Sequence, residues 1–560
     1  MLRSKIFLVP TLAACLAWPC AHASGADVIF SIEPTRDNHP ISRYIYGINP
    51  SSAAGNANPG LNQPAYADLN LTLARLGGNR WSAYNWLSNA SNAGTDYKLS
   101  NDNFLDSSTV PGHAMIPTLE DAAAHSTATI LTVPMIGFVS ADENGPVPPG
   151  TDPRYSHRFI PSYPSHAGLP RTGDIHVCQD DFVKWLKAHF PSSVTKTSQC
   201  PTFFMLDNEP DLWSSTHPEV HPTPITYAEL VQDSIAYSTA IKAVCPDAEV
   251  FGPASYGWGG FDTLQNAKDS AAENAAINPD TGKPYGNMLS YYLAQMSAAS
   301  RAAHRPLLDA LDVHWYPEAT GLNAAGAPTR ITQPDHSSGV AVARMNAPRS
   351  LWDPSYVETS WIAHDSLGSK PINLLTRLAT DINNNYPGTR LSISEYDYGG
   401  GDDISGAVAE ADVLGIFGKY GVYAAAHWPE GATEPFTLGA MRLFRNYDGK
   451  GSAFGDMTVC ATTTDPADTS IYASTDSTHK GRLVVIAINR TTSPITAEIK
   501  LPGDFSRSDS CDVFQLTANS RLTGDGLCAL PTPLGSFSTA ELSHFSMPAE
   551  SVSAIVVSKN

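Results

Sequence analysis

The chain has 560 residues, of which 42% are hydrophobic and only 16% charged, and its 55 acidic against 35 basic side chains give a formal charge of −20. That length exceeds one ordinary compact core, so a large domain with a smaller companion is expected. The acidic balance repels nucleic acid and anionic membranes and suits a neutral polymer as the binding partner.

Residues 1–23 combine a basic start (Arg3, Lys5), an apolar run and Ala21-His22-Ala23, which reads as a secretory signal cleaved before Ser24. Leu12-Ala13-Ala14-Cys15 also fits a lipoprotein box, an alternative that tethers the protein at Cys15. Both readings send the chain out of the cytoplasm, secreted or periplasmic, and no later segment has the length and apolarity of a membrane span. Cysteines remain at 178, 200, 245, 460, 511 and 528. An oxidising compartment favours pairing among them, with a connectivity that spacing does not reveal. Their wide separation does not resemble a zinc site.

Residues 24–42 contain the strand-like DVIFSIEP. Strand-like runs then recur at 43–49, 73–79, 129–137, 202–210, 249–257, 310–318, 390–400 and 422–430, with helix-like stretches such as 180–190, 227–244, 287–299 and 408–420 between them. TFFML (202–206) is apolar on both faces, as in a parallel strand covered on both sides. Alternation of this kind over 43–430 predicts an α/β fold, a (β/α)8 TIM barrel with insertions. From 431 to 560 the pattern changes to short β-branched segments separated by turns, which predicts a β-sandwich joined by the 24–42 strand.

Barrel strands carry function at their C-terminal ends. There the chain places Asn79 and Trp81, Asn208 and Glu209, His314-Trp315-Tyr316, Glu395-Tyr396, and Trp428. Glu209 and Glu395 each end an apolar run, and two carboxyl groups facing one glycosidic oxygen are the standard means of cleaving a sugar acetal. Asp207, two residues before Glu209, is expected to point the same way and to support the site or pair with Arg75 or Arg80. Tyr84, Trp86, Trp213, Trp352 and Trp361 add flat rings for stacking on pyranose faces, with Asn208 for a hydroxyl and the Tyr396 phenol for a carboxylate. His217 and His221 sit among prolines and read as loop histidines. Residues 446–456 read as a turn rather than a calcium loop. Nucleophile-elbow, phosphate-loop and dinucleotide motifs are absent from the sequence.

Several long motifs resemble glycoside hydrolase family 44, secreted endo-β-1,4-glucanases and xyloglucanases. They include LARLGGNRWSAYNWLSNASNAGTDY (73–97), FFMLDNEPDLWSSTHPEVHP (203–222), LLDALDVHWYPEA (307–319) and ISEYDYGGGDD (393–403). The resemblance spans nearly the whole chain after the signal and is weakest over the last hundred residues. It implies a barrel plus a β-sandwich built from both chain ends, and hydrolysis with retention. It also implies Glu209 as acid/base, Glu395 as nucleophile, and Trp352, Trp361 and Trp428 in the cleft. One departure is Asp397, where the family usually has Asn in Glu-Tyr-Asn-Tyr. That carboxyl is expected either to raise the pKa of Glu395 by like charge or to face solvent. A β-glucan partner, no required cofactor, a structural metal ion left open, no protein partner and a monomeric state complete the expectation. The alternatives are a mannan- or xylan-cleaving barrel hydrolase and a non-catalytic glycan-binding surface protein.

Overall fold

The computed structural model describes residues 26–559 apart from 51–65, 67, 149, 168, 170–174, 196, 431–432, 480 and 508–509. The signal read over 1–23, with Cys15, lies outside the described residues.

Eight parallel strands close into a barrel. In chain order they are Tyr44–Ile48, Leu73–Leu76, Ala128–Val133, Thr202–Leu206, Glu249–Ser255, Ala310–Trp315, Arg390–Tyr396 and Ala424–His427. Seven fall within the runs read from the sequence, and the third begins one residue before its run. Along strand four, Phe203 and Met205 point into the barrel while Phe204 and Leu206 pack outward against helices. The period of two explains why a strand covered on both faces reads as unbroken apolar sequence. Leu73, Ile130, Phe203, Met205, Phe251, Ala310, Ala424 and Ala426 fill the interior. The barrel is therefore a packed plug with its open chemistry above.

The second body is a nine-stranded, mostly antiparallel sheet folded over its own core. Val28–Glu33 joins it between Met457–Thr463 and Ile495–Lys500, so the two chain ends build it together. Strand Arg482–Asn489 faces two ways. Leu483, Val485 and Ala487 enter the sheet's own core, whereas Val484, Ile486 and Ile488 join the main core against the barrel helices. Helix Pro435–Arg445 follows strand eight, on the far side of the 430/431 division, and the sheet resumes at Met457.

A buried ion pair stitches the two bodies. Asp412, on helix Ile404–Tyr420, accepts from Arg490 at 3.0 Å and from the Tyr472 hydroxyl at 2.6 Å. Asp412→Ala strands the Arg490 charge with 1% of its side chain exposed. An uncompensated buried charge costs about 3–5 kcal/mol, so a lowered denaturant midpoint is expected in equilibrium unfolding.

The expected disulfides are not formed. Cys178, Cys200, Cys245, Cys460, Cys511 and Cys528 are all free thiols. They stand on separate elements, four of them buried, and burial pushes the Cys511 thiol up to about 11 and that of Cys528 to about 12.

Candidate active site

The upper interior of the barrel turns polar one residue layer above Leu73. Arg75, fully buried, is the hub. Its guanidinium donates to Glu395 Oε1 at 2.5 Å, Asn208 Oδ1 at 2.8 Å and Asn49 Oδ1 at 3.1 Å. Glu395 Oε2 accepts from the Tyr316 hydroxyl at 2.9 Å. Both Glu395 oxygens act as acceptors, the arrangement of an ionised carboxylate.

Glu395 faces inward because strand seven bulges. Ser392 and Ser394 point into the barrel, where Ser394 Oγ donates to Asp312 Oδ2 at 2.7 Å. Simple alternation would turn Glu395 outward. The register shift that sets Val313 opposite Ile393 and His314 opposite Glu395 leaves Ser394 extra, and Glu395 re-enters the interior.

Strand four ends differently. Asp207 (φ 64°) and Glu209 (φ 43°) both adopt left-handed backbone, and the Glu209 amide donates to the Ala254 carbonyl at 3.0 Å. Non-glycine residues rarely hold this conformation, and here it breaks the alternation. Asp207 consequently pairs with neither Arg75 nor Arg80 and supports the site through backbone amides. Its carboxyl accepts the amides of Met135, Ile136 and Asn208, tying the loop after strand three to strand four. Arg75 pairs instead with Glu395, and Arg80 with Asp102 at 2.5 Å.

His314 joins the two glutamates. Its Nδ1 lies 2.8 Å from Glu209 Oε1 and 3.5 Å from Glu395 Oε2. One ligand atom from each of the three residues lies within 4.8 Å of the others. Burial holds the His314 ring neutral, its pKa lowered to about 3 against the pull of Glu395. Arg75 approaches Nε2 at 3.4 Å. An arginine only donates, so Nε2 carries the lone pair and Nδ1–H donates to the carboxylates. Glu209 keeps 15% of its side chain exposed. Desolvation raises its pKa to about 7, with Arg75 opposing and Asp96 assisting. Two carboxyls a few ångströms apart thus sit in unlike environments.

The other expected site residues divide by exposure. Asn79, half-buried, accepts from Asn208 Nδ2 at 3.4 Å. Trp428, also half-buried, lays its ring on Gly78, where an added Cβ would meet Cη2 at 2.6 Å. Trp361 is 43% exposed on the connection between strands six and seven. The remaining aromatics are corrections, because the fold encloses the rings of Trp81, Tyr84, Trp86, Trp213, Trp315 and Tyr396 and sets the half-buried Trp352 elsewhere. Trp81 packs on Tyr84, whose hydroxyl donates to Asn89. Trp86 lies against Phe182 and Trp185, and Trp315 against Phe261. Trp213 is 1% exposed and donates its indole N–H to the Asn208 carbonyl at 3.1 Å. Tyr396 is buried and gives its hydroxyl to Glu410, so Tyr316 is the phenol on Glu395. Trp352 stacks by Lys419 and Tyr420 at the far end of helix Ile404–Tyr420, below the barrel mouth. His217 is buried and neutral, its pKa lowered by burial to about 4, while His221 pairs with Glu229 at 3.1 Å.

Asp397 is 3% exposed, not solvent-facing, and accepts from the Gly399 amide at 2.8 Å. Burial raises its pKa to about 7 against the attraction of His427. Burial disfavours the charged His427 ring. Glu434 at 2.6 Å, with Asp397 and Glu410, overrides that and pushes it up to about 10. The Asp397 carboxyl therefore belongs to a buried cluster with His427, Glu434 and Glu410.

Arg75, Asn49 and Asp312 were not among the expected site residues. Their signal is a charged or polar side chain inside an apolar run, in LARLGG, YGIN and ALDVHW.

A family model for glycoside hydrolase family 44 matches residues 90–319. Endoglucanase A of Paenibacillus lautus is 38% identical over 523 residues, covering 90% of this chain and 70% of that protein. A β-mannanase/endoglucanase A of Caldicellulosiruptor saccharolyticus is 39% identical over 445 residues, which is 74% of this chain and 32% of that longer protein. The solved structure of a Paenibacillus polymyxa family 44 xyloglucanase with xyloglucan superposes with a TM-score of 0.84 at 34% identity, over 95% of this chain and 100% of that one.

Proposed function

The chain belongs to glycoside hydrolase family 44, and from that premise we propose that Glu395 and Glu209 cleave β-1,4-glucan backbones by double displacement. The protein is an endo-acting glycoside hydrolase of the endoglucanase and xyloglucanase kind. Glu395 attacks the anomeric carbon, and Glu209 gives its proton to the leaving oxygen. Glu209 then takes a proton from the water that releases the glycosyl-enzyme, so the configuration is retained. The observation that carries this assignment is the closeness of the two carboxyls around His314, within 4.8 Å between oxygens. Retaining pairs stand about 5–5.5 Å apart and inverting pairs about 6.5–9.5 Å, because only the latter must admit a water between them.

Arg75 and Tyr316 hold the nucleophile, and neutral His314 orients the acid. Trp428, Trp361, Asn79 and Asn208 offer the surfaces for sugar rings and hydroxyls. This chemistry needs no cofactor. Export by the N-terminal signal and a monomeric state complete the proposal. No helix among the described residues is long and apolar enough to cross a membrane.

The test is hydrolysis of xyloglucan beside carboxymethylcellulose, followed by NMR that resolves the first-formed anomer. Internal cleavage with β-product is expected, and initial α-product would overturn the double displacement. The relative from C. saccharolyticus makes mannan the second substrate to include. The pH profile gives a further check. Glu209 must be protonated for the first step, so kcat/KM should fall as pH rises through about 7.

A further inference from the structure

A small sheet between barrel strands three and four takes no part in the catalytic group. Phe159–Tyr163 runs parallel to Val177–Cys178, with Tyr163 opposite Cys178. Cys178 is the N-cap of helix Gln179–His189. His166 lies three residues beyond the first strand, and His176 directly precedes the second. The pairing brings these residues to one corner. A ring nitrogen from each histidine and the Cys178 sulfur lie within 4.8 Å of one another. His166 also meets the first helical turn, with Nε2 at 2.7 Å from Asp181 Oδ2.

We propose that His166, His176 and Cys178 bind a zinc-class divalent cation, with Asp181 orienting His166 and water in the fourth position. Two imidazoles and a thiolate form a borderline-soft set, which selects zinc over calcium or magnesium. Tetrahedral zinc with bonds of about 2.0–2.3 Å needs its ligand atoms roughly 3.3–3.7 Å apart. A small shift of the exposed His166 side chain together with the Asp181 carboxylate closes the gap, since Cys178 is held by the paired strand. The bond from Nε2–H to Asp181 leaves Nδ1 with its lone pair, the carboxylate–histidine–metal arrangement found around bound zinc. Burial, with Asp180 and Asp181 nearby, pushes the Cys178 thiol up to about 11, so the thiolate forms only as the metal binds. On binding, the S–H proton leaves to solvent as the zinc–sulfur bond forms. Asp180 and Asp181, shared by Lys184 at 2.9 and 2.8 Å, balance the remaining positive charge.

Cysteine spacing could not reveal such a site, because it uses one cysteine. Its mechanical effect is local. The metal clips both strands to helix Gln179–His189, whose Phe182 and Trp185 pack on Trp86.

The test uses the full chain, freed of metal by chelator and titrated with Zn2+ and separately with Co2+. One equivalent of Zn2+ should bind and raise the thermal midpoint, with Ca2+ and Mg2+ inert at equal concentration. The Co2+ complex should show a thiolate-to-cobalt charge-transfer band that Cys178→Ser abolishes. His166→Ala changes an exposed side chain, so it stays folded, and it should weaken Zn2+ at least tenfold. Both variants should keep the wild-type glucanase rate. Absence of stoichiometric Zn2+ binding, a band that survives Cys178→Ser, or unchanged affinity in His166→Ala overturns the site. In that case His166, Asp181 and Lys184 form only a surface ion-pair network.

Discussion

Glu395→Gln is expected to lower reducing-end release from β-glucan by about 10^4-fold or more, the scale on which enzymes lose turnover with their nucleophile. The amide keeps the shape of the carboxyl but cannot attack the anomeric carbon. It also keeps one oxygen for Arg75, which still has Asn49 and Asn208 as acceptors. The protein should therefore remain folded, with a lower thermal midpoint that reports the lost charge on a buried guanidinium. Removing Arg75 from the same pair by Arg75→Met leaves Glu395 with the Tyr316 hydroxyl at 2.9 Å and the more distant His314 Nδ1 at 3.5 Å, and should cost activity through misplacement of an intact nucleophile. Measuring kcat/KM, the thermal midpoint and oligosaccharide binding together separates the two effects. A Glu395→Gln protein within tenfold of the wild-type rate would remove the assignment.

Glu209→Gln should behave differently. On natural glucan a loss of roughly 10^2–10^4 is expected, the worth of a positioned proton donor. A substrate with an activated aryl leaving group needs no such proton, so glycosyl-enzyme should form at near the wild-type rate and then accumulate. The product burst is the first readout. Azide, which attacks without a general base, should restore turnover and yield a glycosyl azide of retained configuration. The alkaline limb near pH 7 should also disappear, because the group that titrates there is gone. Equal losses on both substrates, with no response to azide, would show that Glu209 serves another purpose. His314 is part of the same argument. Its neutral ring holds Glu209 at 2.8 Å without placing a cation beside the acid, so protonation of Glu209 is set by burial.

Much of this was legible from the chain itself. Eight apolar runs ending in polar residues sufficed for the barrel, because each strand must bury two faces and release its function at one end. Glu209 and Glu395 were recognisable because an acid ending such a run is costly without a task. The aromatic residues were not sorted in the same way. A tryptophan that stacks on sugar and one that fills a core look alike in sequence, and only enclosure distinguishes Trp81, Trp213 and Trp315 from Trp428. The cysteines failed for a related reason. Compartment chemistry favours bridges, but pairing needs facing sulfurs, and these six stand on separate elements.

By itself the sequence determined which segments become strands, which chain ends share the outer sheet, and which two acids end apolar runs, since each follows from local periodicity and the cost of burying charge. The tertiary structure alone decided how those acids are used. A bulge at Ser394 turned Glu395 inward, left-handed backbone diverted Asp207 from both arginines, and Arg75, far away along the chain, became the partner of the nucleophile. Those outcomes depend on register between neighbouring strands and on the dielectric around each side chain, and both quantities exist only once the barrel has closed.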